Sequence, residues 1–314
     1  MRSSVQDIVL ITPNLVRPAG RGLPPDCSTD RRNRVTDRPS SSQSSPWLAR
    51  PPGDPVLSGV NWGGLQTLYI KEVRRFFKVQ MQTVWAPAIT TLLYLAIFTV
   101  ALGRSGRMVM GVHFADFIAP GLIVMAMIQN AFANSSFSLL VGKIQGNIVD
   151  YLMPPLSTAE LMAGIIGAAV TRAFFVGFAV WLAMSLWPGV SVSIAHPLWA
   201  FWFGLMGSLM LALLGLLTSL WAEKFDHAAV VSNFVVTPLS LLSGTFYSVE
   251  ALSPTFQAIS HANPFFYVIS GFRYGFLGIS DSPILVGAIG LLVLNLLLAG
   301  LTFALLRSGW KIKA

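Results

Sequence analysis

The chain has 314 residues, of which 54% are hydrophobic and only 11% are charged. Soluble domains carry about 25% charged residues, so this composition excludes a typical soluble enzyme, a disordered regulator and a coiled coil, and it indicates a polytopic membrane protein. Lysine and arginine outnumber the acidic residues by 21 to 13, which in a membrane protein more often reflects positively charged cytoplasmic loops than nucleic-acid binding. The single cysteine, Cys27, excludes a disulfide framework and a cysteine-based metal site within the chain.

Residues 1–60 differ in composition from the rest of the chain, because they are rich in arginine, aspartate, proline and serine. Their apolar runs are too short for a packed helix or for the core of a signal peptide. We therefore expect a disordered tail. The alternative is a wrongly assigned start, with the natural chain beginning at Val56, Leu57 or Val60. In either case residues 61–314 form the membrane domain.

An amphipathic helix is predicted before the first long apolar run. Apolar side chains recur at helical spacing between residues 65 and 77. Charged residues occupy much of the other face, namely Lys71, Glu72, Arg74 and Arg75. This pattern is typical of a helix that lies in the membrane interface. Two interpretations stay open: a simple surface helix, and a connector that also contacts a cytoplasmic partner.

Six apolar runs are long enough to cross a bilayer, which takes about 20 residues. They cover residues 84–103, 115–140, 159–187, 198–221, 228–249 and 284–306. Residues 250–283 are amphipathic and interrupted by prolines, so we expect two short re-entrant helices in the outer leaflet there. Lysine and arginine are concentrated in the loops on the side of the two termini, which places both termini in the cytoplasm. The predicted fold is an all-α integral membrane protein with six transmembrane helices.

Two of the apolar runs carry stripes of polar side chains. In the second run, Asn130 and Asn134 lie one helical turn apart. In the fifth run, Asn233 and Thr237 have the same spacing, and Pro238 can kink the helix. Because polar side chains are unfavourable in lipid, these stripes should face protein or water. Interhelical packing and a transport path are the two interpretations that the pattern leaves open.

Arg172 lies near the middle of the third run. A charge at a helix centre costs roughly 2.5–3.5 kcal/mol on insertion scales, so this side chain should face inward and be paired. The interiors of the runs contain no acidic residue, which makes a backbone carbonyl or a polar stripe the expected partner. A structural role and direct contact with a substrate both fit.

The loop between the second and third runs predicts a short amphipathic helix over residues 143–153, ended by two prolines. Its candidate contact residues are Lys143, Ile144, Ile148, Tyr151 and Leu152. Ser157 and Glu160 then form a capping box that opens the third run. A short helix with a fixed exit can act as a peg for another protein, although a solvated connector has the same pattern.

The segment after the fifth run has the features of a well-defined helix. Asn263 is a suitable cap, and Pro264 suits the first helical turn. A smooth face follows, formed by Gly271, Gly275 and Gly278. Such a face permits close contact between helices, and Arg273 projects from a different face.

The sequence contains no recognisable motif for catalysis, nucleotide binding or metal binding. The chain has no Walker A phosphate loop, and its four histidines are scattered over separate loops. It also lacks a nucleophile elbow and paired carboxylates. We therefore predict no catalytic, cofactor-binding or metal-binding residue.

With these segments placed, residues 62–312 resemble the ABC-2-type permeases, the membrane subunits of bacterial ABC exporters, and are most similar to the YadH-like branch. The resemblance rests on the segments 71–76, 117–122 and 237–248 and, most specifically, on 263–278. Residues 1–60 depart from the family pattern, which supports the alternative that the natural chain begins further downstream.

The resemblance implies one half of a transmembrane unit, completed by a second copy of the chain or a paralogue. A separate ABC ATPase subunit would dock from the cytoplasm on a coupling helix at 143–153 and a connector helix at 65–80. ATP and Mg would be used by that partner, and this chain would bind no cofactor and no nucleic acid. The implied location is the bacterial inner membrane, with both termini in the cytoplasm.

The expected function is therefore outward transport of an amphiphile such as a drug, lipid or glycolipid, with export of a polysaccharide or lipo-oligosaccharide as the alternative. Short outer loops favour a small amphiphile. A secondary exporter would need an acidic residue within the membrane for coupling, and an integral-membrane transferase would need clustered His, Asp or Glu at one membrane face. Neither pattern is present in the sequence. A scaffold without transport activity is a further possibility.

Overall fold

The computed structural model describes residues 59–102, 108–249 and 252–311. The predicted tail and the alternative start sites lie almost entirely outside these residues, so the domain boundary at residue 60 stays a prediction.

The described residues are mostly helical. The helices are α1 Trp62–Lys78, α2 Ala86–Leu102, α3 Phe114–Ile144, α4 Val149–Leu152, α5 Thr158–Ser185, α6 Pro197–Trp221, α7 Phe225–Val231, α8 Thr237–Leu241, α9 Pro254–Ala262, α10 Pro264–Leu277 and α11 Ile284–Ser308. Two π-helical segments, Met81–Trp85 and Ser232–Val236, run directly into α2 and α8. A short antiparallel hairpin of β1 Met108–Val109 and β2 Val112–His113 precedes α3, with Met108 opposite His113.

Six helical segments are long and apolar enough to span a membrane. They are Met81–Ala101, Phe114–Ile144, Thr158–Ser185, Pro197–Trp221, Phe225–Leu242 and Ile284–Ser308, numbered here as spans 1 to 6. The predicted all-α fold with six spans is confirmed. The fifth span was predicted to reach residue 249, but it ends at Leu242 because Gly244 adopts a left-handed backbone (φ 75°) that turns the chain out of the helix.

Helix α3 is the centre of the bundle and packs against α2, α5, α6 and α10. In its most apolar stretch 83% of residues are buried, compared with 22% in span 1, 17% in span 5 and 22% in span 6. Spans 1, 5 and 6 therefore present most of their surface to the surroundings.

The two π-helical segments share a cause in the sequence. Pro87 and Pro238 each follow the end of a π segment by two residues, and proline has no N–H to donate to the carbonyl four residues earlier. The chain instead uses bonds between residues five apart: the Ala86 amide donates to the Met81 carbonyl, and the Thr237 amide donates to the Ser232 carbonyl. Spans 1 and 5 thus carry the same local irregularity, of a kind often found at functional sites.

Candidate functional site

Helices α1 and α5 are tied together where both begin. The Asn61 side chain caps α1 by accepting from the Gly64 backbone N–H at 2.9 Å. The backbone N–H of Asn61 donates to Glu160 Oε1 at 2.6 Å. Glu160 also completes the predicted capping box with Ser157, which is confirmed. These contacts fix the direction of α1 relative to span 3.

The prediction that Glu72 belongs to the charged outer face of α1 is wrong. The side chain of Glu72 is completely buried, because it lies four residues from both Leu68 and Phe76 and shares their inward stripe. Lys71 and Arg74 are exposed. A buried carboxylate is unfavourable unless it is paired, so the partners of Glu72 define the local structure.

Tyr151 and Arg75 are those partners. The Tyr151 hydroxyl donates to Glu72 Oε1 at 3.0 Å, and Arg75 Nη2 lies 2.9 Å from Glu72 Oε2. Burial, together with the adjacent Glu72 charge, raises the pKa of Tyr151 well above its usual range, which keeps its hydroxyl protonated and able to donate. The Lys71 ammonium lies 3.9 Å from the centre of the Tyr151 ring. Tyr151 is therefore an anchor that joins α4 to α1.

The helix predicted over residues 143–153 is two separate pieces. Lys143 and Ile144 belong to the last turn of α3. Gly146 adopts a left-handed conformation (φ 74°), which interrupts the helix before α4 begins. Lys143 Nζ donates to the carbonyls of Ser219 and Leu220 at 2.9 and 2.5 Å, so it caps the end of α6.

Few of the predicted contact residues of α4 are exposed. Tyr151 is buried, Ile148 is half-buried, and the side chain of Leu152 lies outside the described structure. Ile144 is 41% exposed, but it belongs to α3. The sequence interpretation did not select Val149 and Met153, which are 50% and 77% exposed.

Polar contacts continue from Glu72 into the spans. Arg75 Nη2 donates to the Asn134 backbone oxygen at 2.9 Å and to Asn134 Oδ1 at 3.2 Å. Arg172 donates from Nη2 to Asn130 Oδ1 at 2.9 Å and from Nη1 to Asn134 Oδ1 at 3.5 Å. The prediction that a polar stripe holds Arg172 is confirmed. Tyr151, Glu72, Arg75, Asn134, Arg172 and Asn130 form one connected group, called here the polar chain.

A cavity of about 290 Å³ lies between span 1 and α3, at the end of the polar chain. Its polar lining residues are Gln82, Thr90, Thr91, Tyr94, Gln129 and Asn130. Its apolar lining residues are Ala86, Pro87, Leu122, Met125 and Ala126. This α2–α3 cavity contains one residue of the predicted transport path, Asn130.

The fifth-span candidates do not join this group. Asn233 is exposed and Thr237 is half-buried. Among the described residues, Asn130 and Asn134 make their side-chain contacts to α1, α3 and α5 instead. A transport path through all four residues stays a prediction.

At the opposite end of the bundle, Arg273 projects from α10 away from the face of Gly271 and Gly275 and is completely buried. Its Nη1 lies 2.7 Å from Asp281 Oδ2, Nη2 donates to the Gly244 carbonyl at 2.7 Å, and Nε donates to the Phe117 carbonyl at 3.3 Å. The sequence interpretation missed Asp281, since a carboxylate in a loop after α10 gives no local signal of its partner. Arg273 thus joins α10 to α3 and to the turn after span 5.

The remaining predictions for α10 are largely confirmed. Asn263 Oδ1 accepts from the Phe265 amide at 3.1 Å, and Pro264 occupies the first turn. A Cβ on Gly275 would lie 2.5 Å from the Ala200 nitrogen, and one on Gly271 would overlap the Phe203 ring. Both glycines therefore allow α10 to pack closely on α6. Gly278 does not belong to that face, because its left-handed backbone (φ 73°) ends the helix.

Comparison with known proteins gives a consistent result. Residues 64–277 match the family model described as ABC-2 type transporter. Inner membrane transport permease YadH of Escherichia coli (strain K12) is 41% identical over 241 residues, which cover 74% of this chain and 90% of that protein. Nodulation protein J of Neorhizobium galegae is 26% identical over 202 residues, which cover 62% of this chain and 73% of that protein.

These matches confirm the resemblance seen in the sequence. The family match covers both the polar chain and all of α10. The family and the six apolar spans together make this chain a multi-pass inner-membrane protein and a transport subunit rather than an enzyme in its own right. The chain belongs to the ABC-2 type transporter family, as a membrane permease.

Proposed function

We propose that the chain is the permease of an ATP-driven exporter, in which a separate ABC ATPase docks on α4 and drives outward movement of an amphiphile. ATP and Mg belong to the ATPase. The observation that carries this proposal is the structure around α4: an exposed apolar surface outside the spans, attached to the membrane bundle by a buried anchor.

The exposed surface consists of Val149 and Met153, with the two prolines Pro154 and Pro155 beside it. Apolar side chains exposed next to each other outside a membrane favour contact with another protein. The anchor is Tyr151, whose hydroxyl donates to the buried Glu72. A force applied to Val149 and Met153 therefore acts on α1 through Tyr151 and reaches span 3 through the contacts between α1 and α5.

The end of the bundle that carries α1 and α4 is proposed to face the cytoplasm. Exposed basic residues are concentrated there, at Arg74, Lys78, Lys224, Arg307 and Lys311. Positively charged flanks remain on the cytoplasmic side of bacterial membrane proteins. An ATPase on this side would have direct access to Val149 and Met153.

A second copy or a paralogue is proposed to cover part of spans 1 and 5. These spans bury little of their surface in one chain, yet they expose polar side chains, including Tyr94 and Asn233. Polar side chains directed at lipid are unfavourable. A partner permease, or a water-filled path shared with it, would remove them from lipid.

Co-purification tests the proposal. The wild-type chain should retain its ATPase subunit in detergent, and Met153→Asp should reduce the retained ATPase by about tenfold, since it places a charge in the apolar contact. Leu186→Asp is the matched control, because Leu186 is 78% exposed and follows α5 at the opposite end of the bundle. Equal retention of the ATPase by wild type and Met153→Asp would show that α4 is not the docking site.

A further inference from the structure

The polar chain carries an unbalanced positive charge. Arg75 and Arg172 provide two guanidinium groups, and Glu72 is the one carboxylate in contact with them among the described residues. Glu72 pairs with Arg75, so the contacts of Arg172 within the described ranges are to the neutral amides of Asn130 and Asn134. An ionised residue within a membrane span usually pairs or faces a substrate path. The positive charge of Arg172 is therefore available to pair with an anionic ligand.

Hydrogen bonding around Arg172 is also incomplete. Within the described part of the chain, Arg172 Nε, Arg75 Nη1 and Asn134 Nδ2 are buried and have no hydrogen-bond partner. All three nitrogens are donors, and buried donors normally find an acceptor. A ligand that satisfies them would present several acceptor oxygens, as a phosphate or a carboxylate does.

The α2–α3 cavity is adjacent to this charge. Asn130 lines the cavity, and its Oδ1 accepts from Arg172 Nη2 at 2.9 Å, so one amide group separates the cavity from the guanidinium. Arg172 is half-buried rather than sealed in the core. Tyr94, which also lines the cavity, is 42% exposed, so the cavity reaches the surface of span 1 that faces away from the bundle.

The cavity lining combines polar and apolar groups in a way that suits an amphiphile. Gln82, Thr90 and Gln129 contribute hydroxyl and amide groups, and Leu122 and Met125 contribute aliphatic side chains. A small inorganic anion would use only the polar groups. A molecule with a polar head and an apolar chain would use both kinds of lining.

We propose that the α2–α3 cavity binds the anionic head of an amphiphile, with Arg172 supplying the compensating charge and Asn130 positioned between the two. This inference rests on the proposed function, because it names the substrate class of the permease. The negative head is a phosphate or carboxylate that belongs to the amphiphile itself. Cationic amphiphiles are disfavoured at this site by the unpaired charge of Arg172.

Binding of simple probes tests the substrate class. The probes are octyl phosphate, octyltrimethylammonium, octyl glucoside and inorganic phosphate, each below its micelle concentration where it forms micelles. They are titrated calorimetrically against the full-length chain with its ATPase in phosphatidylcholine nanodiscs. Octyl phosphate should saturate and bind about tenfold more tightly than each of the other three. Equal binding of octyltrimethylammonium or octyl glucoside would overturn the anionic class, and equal binding of inorganic phosphate would overturn the amphiphile.

Arg172→Gln should weaken octyl phosphate binding by about tenfold or more. Arg307→Gln is the matched control, because it makes the same change at an exposed position of α11 and should leave binding unchanged. Undiminished binding by Arg172→Gln would refute the assignment.

Asn130→Asp is a second variant that tests the inference even if Arg172→Gln does not fold. It places a carboxylate 2.9 Å from the Arg172 guanidinium, which preserves the local contact while removing the open positive charge. This variant should remain folded by thermal unfolding and retain its ATPase, yet lose binding of octyl phosphate. Wild-type affinity for octyl phosphate in a folded Asn130→Asp complex would contradict the inference and leave the proposed function intact.

Discussion

Two arginines at different positions in the bundle show how the same side chain serves different purposes. Arg273 has a partner for each of its three nitrogens, and one partner is the carboxylate of Asp281. Arg172 contacts two neutral amides, and its Nε has no partner. The first arrangement is complete and stabilises the packing of α10. The second leaves both charge and hydrogen-bonding capacity available to a ligand.

Removal of the Arg273 counter-charge should have the largest effect on stability. Asp281→Asn leaves a buried guanidinium without compensation, which costs about 3–5 kcal/mol in comparable buried pairs. The free energy of unfolding in detergent, followed by tryptophan fluorescence, measures the change. A double variant with Arg273→Met should recover part of the loss. A loss below about 1 kcal/mol, as for an exposed pair, would contradict the conclusion that Arg273 stabilises the packing of α10.

Loss of the α4 anchor should have the next largest effect. Tyr151→Phe removes the hydroxyl that donates to Glu72, and a hydrogen bond to a charged group contributes about 1.5–3 kcal/mol. The same unfolding measurement applies. Tyr247→Phe is a suitable control, since its hydroxyl donates to the Leu242 carbonyl in an exposed environment and should matter less. Equal losses in the two variants would argue against a special role for Tyr151.

A methyl group at the contact between α10 and α6 should destabilise by about 1–3 kcal/mol, as overpacking does. Gly275→Ala places its Cβ 2.5 Å from the Ala200 nitrogen, which is a backbone atom and moves only with the helix. Gly290→Ala is the matched control, because nothing lies within 4 Å of the added Cβ. Unfolding midpoints that fall equally in both variants would contradict close packing at Gly275.

The smallest effect is expected at the exposed ion pair between Lys311 and Glu223. Their charged atoms lie 3.1 Å apart, and both side chains are exposed. The hydrogen bond from Lys311 lowers the pKa of Glu223, so the carboxylate is ionised at neutral pH. Glu223→Gln should nevertheless leave the unfolding midpoint unchanged, because water and salt screen such pairs. A clear fall in the midpoint would show that this end of the bundle is less solvated than the structure indicates.

The sequence predicts the features that depend on local pattern. Six apolar runs, the capping box of Ser157 and Glu160, and the Asn263 cap all follow from residue type and spacing over a single helix. They are present in the structure at the predicted positions, apart from small differences at the ends of the spans.

Features that depend on contacts between distant segments were not predictable. Glu72 has the spacing of an inward stripe, but a charged residue indicates an outer face until Tyr151 and Arg75 are known to surround it. Arg273 likewise needs Asp281 and Gly244, which come from two different turns. Lys143 was assigned to a peg because its position in the loop says nothing of the α6 carbonyls that it caps.

ATP hydrolysis in proteoliposomes tests the central claim, that this chain is a permease moved by a separate ATPase. The purified chain is reconstituted alone and together with its ATPase subunit, and both samples receive ATP and Mg. We expect no hydrolysis by the chain alone, and hydrolysis by the pair that depends on Met153. Sustained hydrolysis by the lone chain, or hydrolysis by the pair that is unchanged in Met153→Asp, would contradict it.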